Sequence, residues 1–376
     1  MSRGRPIKAL SVVGARPNFI KAAPIAEALA RHPAGFAHTL VHTGQHYDPR
    51  MSDTFFADLN LPRPRHDLGV GSGSHAQQTA AVMTAIEPVL RAEAPDVVIV
   101  VGDVNSTLAA ALTAKKLGLA VAHVEAGLRS HDRSMPEEIN RRCVDAISDD
   151  LFTPDRLAGD ALRSEGVPDA RIHFVGNVMI DALMAHRPAA RALALHRRLG
   201  LAALSYATLT LHRPSNVDDA EQLTTLLAAI RDAADGLPVV FPVHPRTRAR
   251  IEALPQRSFA STPGGPDIFL MEPLGYLELL SLNDSARIII TDSGGLQEEA
   301  TALGVPCVTV RDSTERPVTI RQGTNRLAGA TPEGVRRGVR SALADRRGPR
   351  AQPEHWDGRA AHRIADVLAS RYGGSP

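Results

Sequence analysis

The chain has 376 residues, with 43 basic and 41 acidic side chains and a formal net charge of +2. So near a balance gives no global field for nucleic acid or an anionic membrane, and any preference for anions has to be local. The composition, 43% hydrophobic and 22% charged, is that of a globular protein long enough for two domains. The two cysteines, Cys143 and Cys307, lie far apart without metal-ligand spacing; both are expected to be buried or inert, as in a reducing cytoplasm.

In chain order, the first apolar run is Ala9–Val13, short and broken at Gly14-Ala15-Arg16-Pro17. That break reads against a signal peptide, and nothing approaches the ~20 apolar residues of a membrane helix. A helix around Lys21–Ala30, a strand at Thr39–His42 and a helix near Ser74–Ala92 follow. Between Pro95 and Gly127 lies one β-α-β unit: a buried strand at Val97–Val101, a crossover helix at Ser106–Leu117 and a second buried strand at Ala120–Val124. The alternation restarts after about residue 180, past a helix and loop at Arg191–Ala203. Strands are expected at Tyr206–Leu211, Pro238–Val243, Ile268–Met271 and Ala286–Thr291, with helices at Asp219–Ala234, Leu274–Leu282 and Leu296–Leu303. After a breaker-rich loop at Asp345–Arg350, Ile364, Val367 and Leu368 mark a closing helix over Arg359–Tyr372. The pattern predicts an α/β protein of two Rossmann-like, doubly wound domains facing a cleft: 1–180, 181–358, and a closing helix at 359–376 returning to the first domain.

Each strand of the β-α-β unit ends in a carboxylate, Asp103 and Glu125. Ligands of open α/β sheets sit beyond the carboxyl ends of the strands, so two such acids on adjacent strands would face one site. Either acid alone also fits the plainer role of helix cap. In the first βα turn, Arg16 and Lys21 flank a helix N-terminus, which already favours anions. Thr291-Asp292-Ser293-Gly294-Gly295 opens a helix after a strand, so the backbone can approach a phosphate closely, with Ser293 as donor and Glu298 or Glu299 within reach of ribose hydroxyls. The bland alternative is a capping turn with a surface Glu pair. His212 and His244 each follow a strand, where a histidine suits proton transfer or phosphate contact. Glu137 and Glu138 open a helix after Pro136, a placement that the helix dipole explains for Glu138 and leaves undecided for Glu137. No His/Asp/Glu set has metal spacing.

Together these segments resemble the non-hydrolysing UDP-N-acetylglucosamine 2-epimerases, with their glycosyltransferase-B-like fold. The wording that carries the resemblance runs from GARPNFIKAAP at Gly14 through TGQHYD at Thr43, GDVNST at Gly102, HVEAGLRS at His123 and MPEEINR at Met135. It goes on through GNVMID at Gly176, LHRPSN at Leu211, PVHP at Pro242, TDSGGLQEEA at Thr291 and RDSTERPV at Arg311. The resemblance implies catalytic roles for Asp103, Glu125, Glu137 and His212. It implies UDP contacts from Arg16, Lys21, His212, Ser293, Gly295, Glu299 and Arg316, to which the strand-end His244 and the glycine Gly294 are added as candidates. It also implies a homodimer that needs neither metal nor nicotinamide.

Two departures qualify the resemblance, the first for allosteric activation by UDP-N-acetylglucosamine and the second for the sugar pocket. Gln45-His46-Tyr47-Asp48-Pro49 replaces the Gln-His-Arg-x-Met of members regulated by their own substrate, and Pro214-Ser215-Asn216 replaces the usual Arg-Glu-Asn after His-Arg. Relatives acting on UDP-2,3-diacetamido-glucuronic acid share the Gly-Ala-Arg-Pro and Gly-Gln-His wording. The expected activity is interconversion of UDP-N-acetylglucosamine and UDP-N-acetylmannosamine. The alternatives are a 2-epimerase of a modified UDP-sugar, a hydrolysing epimerase, a UDP-sugar glycosyltransferase and a silent nucleotide-sugar sensor.

Overall fold

The computed structural model describes residues 5–44, 61–243, 245–254, 267–345 and 352–373, with Leu59 and Pro263; of Arg16, Pro245 and Arg246 it describes the backbone alone. The chain divides into two compact units, 1–182 with 354–376, and 183–353.

In unit 1, strands β1 (Ile7–Val13), β2 (Phe36–His42), β3 (His66–Asp67), β4 (Val97–Val101), β5 (Ala120–Val124), β6 (Asp150–Thr153) and β7 (Ile172–Phe174) form a parallel sheet in the order β3-β2-β1-β4-β5-β6-β7. Helices α1 (Arg16–Arg31), α2 (His75–Glu93), α3 (Asn105–Lys116), α4 (Pro136–Ile147) and α5 (Arg156–Ser164) cover it. The continuous apolar strand β4 shows why both faces must be covered. Val97, Ile99 and Val101 pack on one side with Ile25 and Leu29 of α1, and Val98 and Val100 pack on the other with Ile86 and Leu90 of α2. The start of α2 is fixed by a reciprocal cap, in which Gln77 N–H donates to Ser74 Oγ at 3.3 Å and Ser74 N–H to Gln77 Oε1 at 3.2 Å.

Helix α6 (Val178–Leu193) and the short α7 (Leu195–Arg198) lead into unit 2. Its strands β8 (Ala207–Thr210), β9 (Val239–Pro242), β10 (Ile268–Met271), β11 (Ile288–Thr291), β12 (Cys307–Thr309) and β13 (Asn325–Leu327) form a second parallel sheet, ordered β10-β9-β8-β11-β12-β13. The helices are α8 (Pro214–Val217), α9 (Ala220–Ala234), α10 (Pro245–Glu252), α11 (Tyr276–Ser285), α12 (Gly294–Leu303), α13 (Val318–Arg321) and α14 (Pro332–Ala344). Leu226 and Ile230 of α9 and Val335 and Val339 of α14 cover Leu209, Phe241, Ile288 and Ile290.

The last helix, α15 (Ala360–Tyr372), belongs to unit 1. Its Ile364 and Leu368 are fully buried in the cluster that holds Ile25 and Leu29, each contributing about 1.5–3 kcal/mol. Asp181 accepts from the N–H groups of Ala360 and Ala361 at 3.1 and 2.7 Å, and Trp356 Nε1 donates to Pro154 O at 3.2 Å. The approach is so close that a Cβ on Gly176 would lie 2.1 Å from His355 O.

Each sheet has one place where the strand order reverses: between β1 and β4 in unit 1, and between β8 and β11 in unit 2. There the two outgoing connections part to opposite sides, which opens a crevice at the strands' carboxyl ends. The loops after β1, β4, β8 and β11 carry Gly14, Gly102-Asp103, His212 and Asp292-Ser293 respectively.

Three expectations change. Helix α1 begins at Arg16, before the expected Lys21. Cys143 is exposed, although Cys307 is buried, where burial pushes its thiol up to about 12. Strands β6, β7, β12 and β13, of three or four residues each, were not anticipated.

Candidate active site

The turn after β1 is built around Asn18. Gly14 and Ala15 donate their N–H groups to Asn18 Oδ1 at 3.4 and 3.0 Å, and Asn18 Nδ2 donates to Val101 O at 2.9 Å, tying the turn to the end of β4. Only glycine fits at position 14, where a Cβ would lie 2.3 Å from Ser106 Oγ. Lys21 faces inward: it is 5% exposed, and its ammonium pairs with the equally buried Glu125. The pair lies against Gly102, whose added Cβ would come within 3.3 Å of Glu125 Oε2 and 3.6 Å of Lys21 Nζ. Glu125 itself has φ +71°, a left-handed conformation uncommon outside glycine. Such strain, on the order of 1–3 kcal/mol, persists only where surrounding contacts dictate the backbone.

Strands β4 and β5 are neighbours in parallel register, Val101 opposite Val124, so Asp103 and Glu125 leave adjacent strand ends. Asp103 does not cap α3, whose N-cap is Val104 with no side-chain bond. Instead Arg141 of α4 reaches back to Asp103 Oδ2, with Nε at 3.0 Å and Nη2 at 2.9 Å. Asn140 Nδ2 donates to the Asp103 carbonyl at 2.8 Å. Glu138, expected to serve only the helix dipole, is fully buried and accepts from Arg141 Nη1 at 2.6 Å. Its neighbour Glu137 is half-buried, and its side chain makes no hydrogen bond or ion pair among the described residues.

Below this layer, His123 has Nδ1 2.6 Å from Asp145 Oδ1 and Nε2 2.9 Å from Gly102 O. Both ring nitrogens face oxygen atoms of the core. Arg129 places Nη1 2.7 Å from Asp145 Oδ2 and binds Glu165 through Nε and Nη2. Burial works to raise the Asp145 carboxyl, but His123 and Arg129 hold it below the usual carboxylate range.

In unit 2 the organising residue is Asp292, fully buried at the end of β11. It accepts from the N–H groups of His212 (3.0 Å) and Arg213 (2.9 Å), from Asn216 Nδ2 (3.0 Å) and from the His212 ring, whose Nδ1 lies 2.8 Å away. Burial acts to raise this carboxyl and the His212 contact, with the other donors, outweighs it. His212 is thereby aimed by its ring, with half of its side chain open.

Helix α12 starts at the glycine pair with Ser293 as N-cap, and the Ser293 hydroxyl makes no capping bond. The first N–H groups of the helix therefore point outward without a side-chain partner from the cap, the arrangement that binds phosphate. A Cβ on Gly294 would lie 2.5 Å from Arg316 Nη1. Arg316 is buried, 3.0 Å from Glu298 Oε1 through Nε and bound to Glu315 through Nη1; Glu315 in turn takes Arg311 Nη2 at 2.7 Å. The acids are thus no surface pair: Glu298 and Glu299 are 1% and 4% exposed. Burial, with the like charge of Glu298, pushes the Glu299 carboxyl up to about 8, close to the Tyr276 hydroxyl.

The structure therefore gathers Lys21, Asp103, Glu125 and the first turn of α4 in unit 1, and His212, Ser293, Gly294, Gly295, Glu299 and Arg316 around the reversal point of unit 2. The side chain of Arg16, all of His244 and the segment Gln45–Pro49 lie outside the described residues. Sequence reading passed over Arg141 and Glu315 and placed Asp292 only as a turn residue. The signal for Arg141 was its i,i+3 spacing from Glu138.

Known proteins resemble this chain over nearly its whole length. Residues 27–369 match the family model described as UDP-N-acetylglucosamine 2-epimerase. The UDP-N-acetylglucosamine 2-epimerase of Methanocaldococcus jannaschii is 41% identical over 367 residues, covering 95% of this chain and 97% of that one. A Pseudomonas aeruginosa UDP-2,3-diacetamido-2,3-dideoxy-D-glucuronate 2-epimerase is also 41% identical, over 370 residues, covering 96% and 99%. The crystal structure of the M. jannaschii enzyme with UDP-GlcNAc and UDP superposes with a TM-score of 0.88, covering 97% of this chain and all of that one. That of the Neisseria meningitidis enzyme bound to UDP-GlcNAc is 29% identical, with a TM-score of 0.84 over 97% and 100%. The chain belongs to the UDP-N-acetylglucosamine 2-epimerase family.

Proposed function

We propose that this protein reversibly inverts C2 of a UDP-2-acetamido sugar, interconverting UDP-N-acetylglucosamine and UDP-N-acetylmannosamine. The observation that carries the reading is the pair of carboxylates on adjacent strand ends of unit 1, combined with a glycine-opened helix N-terminus at the reversal point of unit 2. No neighbouring carbonyl acidifies C2–H, so direct removal of that proton faces a prohibitive barrier. Departure of UDP builds positive charge at C1, which acidifies C2–H; elimination leaves a 2-acetamidoglucal, and return of a proton to the opposite face with re-addition of UDP gives the epimer. Asp103 and Glu125 are the acid–base pair, with Glu137 assisting. The N–H groups of Gly294 and Gly295, the Ser293 hydroxyl, His212, His244 and Arg16 take the departing diphosphate, and Glu299 the ribose. Lys21 and Arg316 are already engaged by Glu125 and by Glu298 with Glu315, so they act as members of those pairs rather than as isolated cations. The reaction draws on neither metal nor nicotinamide.

Turnover in deuterium oxide should place deuterium at C2 of the recovered sugar nucleotide. Unlabelled epimer would exclude the mechanism. Asp103→Asn should abolish exchange while UDP still binds; unchanged turnover would remove Asp103 from it.

A second reading is favoured by the Pseudomonas relative, which is as similar as the methanogen's: the sugar carries a 3-acetamido and a 6-carboxylate group. Proton NMR of a small panel of UDP-sugars decides between them. A homodimer in the cytoplasm completes the proposal. Half-exposed Ile139 beside an apolar groove of about 370 Å³, lined also by Met83 and Ala80, supports self-association on unit 1, and light scattering would test it.

A further inference from the structure

We propose that Glu138 and Arg141 are positioning residues that act through Asp103. Arg141 holds the Asp103 carboxylate, and Glu138 is the permanent counter-charge of Arg141, so that Asp103 can gain and lose a proton without stranding a buried cation. The inference rests on the reading of Asp103 as a catalytic residue.

The geometry has two halves. The Arg141 guanidinium is 3% exposed and divides its donors between two carboxylates: Nε and Nη2 to Asp103 Oδ2 at 3.0 and 2.9 Å, and Nη1 to Glu138 Oε2 at 2.6 Å. Asp103 is 30% exposed and open to a substrate, whereas Glu138 is 1% exposed and sealed from one. Glu138 Oε2 also takes the N–H of Ser130 at 2.9 Å and its hydroxyl at 3.1 Å. Ser130 stands on the loop that leaves Glu125, so a single buried oxygen links the β5 loop, the first turn of α4 with its Glu137, and, through Arg141, the end of β4.

The charge of Glu138 calls for its own explanation. Oε2 accepts three donors while Oε1, equally buried, accepts none. A glutamine could meet those three donors with its single carbonyl oxygen, so hydrogen bonding alone does not require an acid here. What glutamine lacks is the negative charge. A buried guanidinium paired only with Asp103 would lose its counter-ion each time Asp103 took a proton, and an uncompensated buried charge is costly. With Glu138 in place the cation stays neutralised through both halves of the proton cycle. Among the described residues the other titratable groups around Asp103 are the Lys21–Glu125 pair against Gly102, the His123–Asp145 pair below it, Glu137 on α4, and His75 of α2, reached through Asn105 and Asn140. Both substitutions leave these side chains in the sequence.

The test is the pH dependence of deuterium exchange at C2. In Glu138→Gln the whole charge of Arg141 falls on Asp103, favouring its ionised form; exchange should slow by about tenfold and its acidic limb should move down by on the order of one pH unit. Arg141→Met should slow exchange and move the limb up. A purely structural role would slow both variants with the limb unmoved, and that result would overturn the proposal. Amide exchange at the buried strands of unit 1 confirms that each variant is folded, and if E138Q is not, the direction for R141M decides alone. Exchange that survives in D103N would instead refute the role of Asp103 itself, whatever the other two variants do.

Discussion

Replacing Glu299 with glutamine should stabilise unit 2, and by an amount that grows with pH. Glu299 is 4% exposed, lies beside Glu298 and has its carboxyl pushed from 4.5 up to about 8 by burial and that neighbouring charge. In the unfolded chain the same group ionises near 4.5. Between these values the unfolded state has released a proton that the native state retains, so native stability falls as pH rises from about 4.5 and levels off above about 8. At about 1.4 kcal/mol per pH unit, the loss by neutral pH is on the order of 3 kcal/mol. Glutamine matches the protonated acid in shape and never ionises, so it escapes the loss. The assay is urea unfolding of both proteins from pH 4.5 to 8.5, followed by a probe of unit 2, with thermal midpoints as a second measure at roughly 2–4 °C per kcal/mol. Comparing the two proteins at each pH leaves the difference curve to report Glu299. A difference that stays flat across that range would refute the reasoning.

Asp145→Asn should cost on the order of 3–5 kcal/mol at pH 7, because Arg129 loses a buried counter-charge. The native carboxyl lies below its ordinary value, so its contribution is present above about pH 4 and disappears as the solution is acidified; the two unfolding curves should converge there, and equal stability at pH 7 would contradict the assignment. Gly294→Ala would drive a methyl against the Arg316 guanidinium, which Glu298 and Glu315 hold in place, and should weaken UDP binding by about tenfold or more by calorimetry. Gly176→Ala places a Cβ 2.1 Å from His355 O and also imposes φ +91° on alanine. It should loosen α15 from unit 1, seen as faster amide exchange at Ile364 and Leu368 with UDP binding retained.

Much of the architecture was legible from residues alone, because long apolar strands announce themselves. VVIVV at 97–101 reads as a buried parallel strand and the run at 9–13 as a strand. The acids Asp103 and Glu125 were visible for the same reason: a strand end next to a helix start fixes where a side chain must emerge. What sequence could not supply was the pairing of charges. DLFT, IHF, CVT and NRL are too short to carry a period and become strands only because a neighbouring edge accepts their hydrogen bonds. The partnerships of Lys21 with Glu125, of Arg141 with Asp103 and of Asp292 with His212 join positions 104, 38 and 80 residues apart. Local pattern determines which residues form strands and helices and which lie at their ends. Whether a charge at such an end meets solvent, a ligand or a buried counter-ion depends on distances through the folded core, which only the tertiary packing sets.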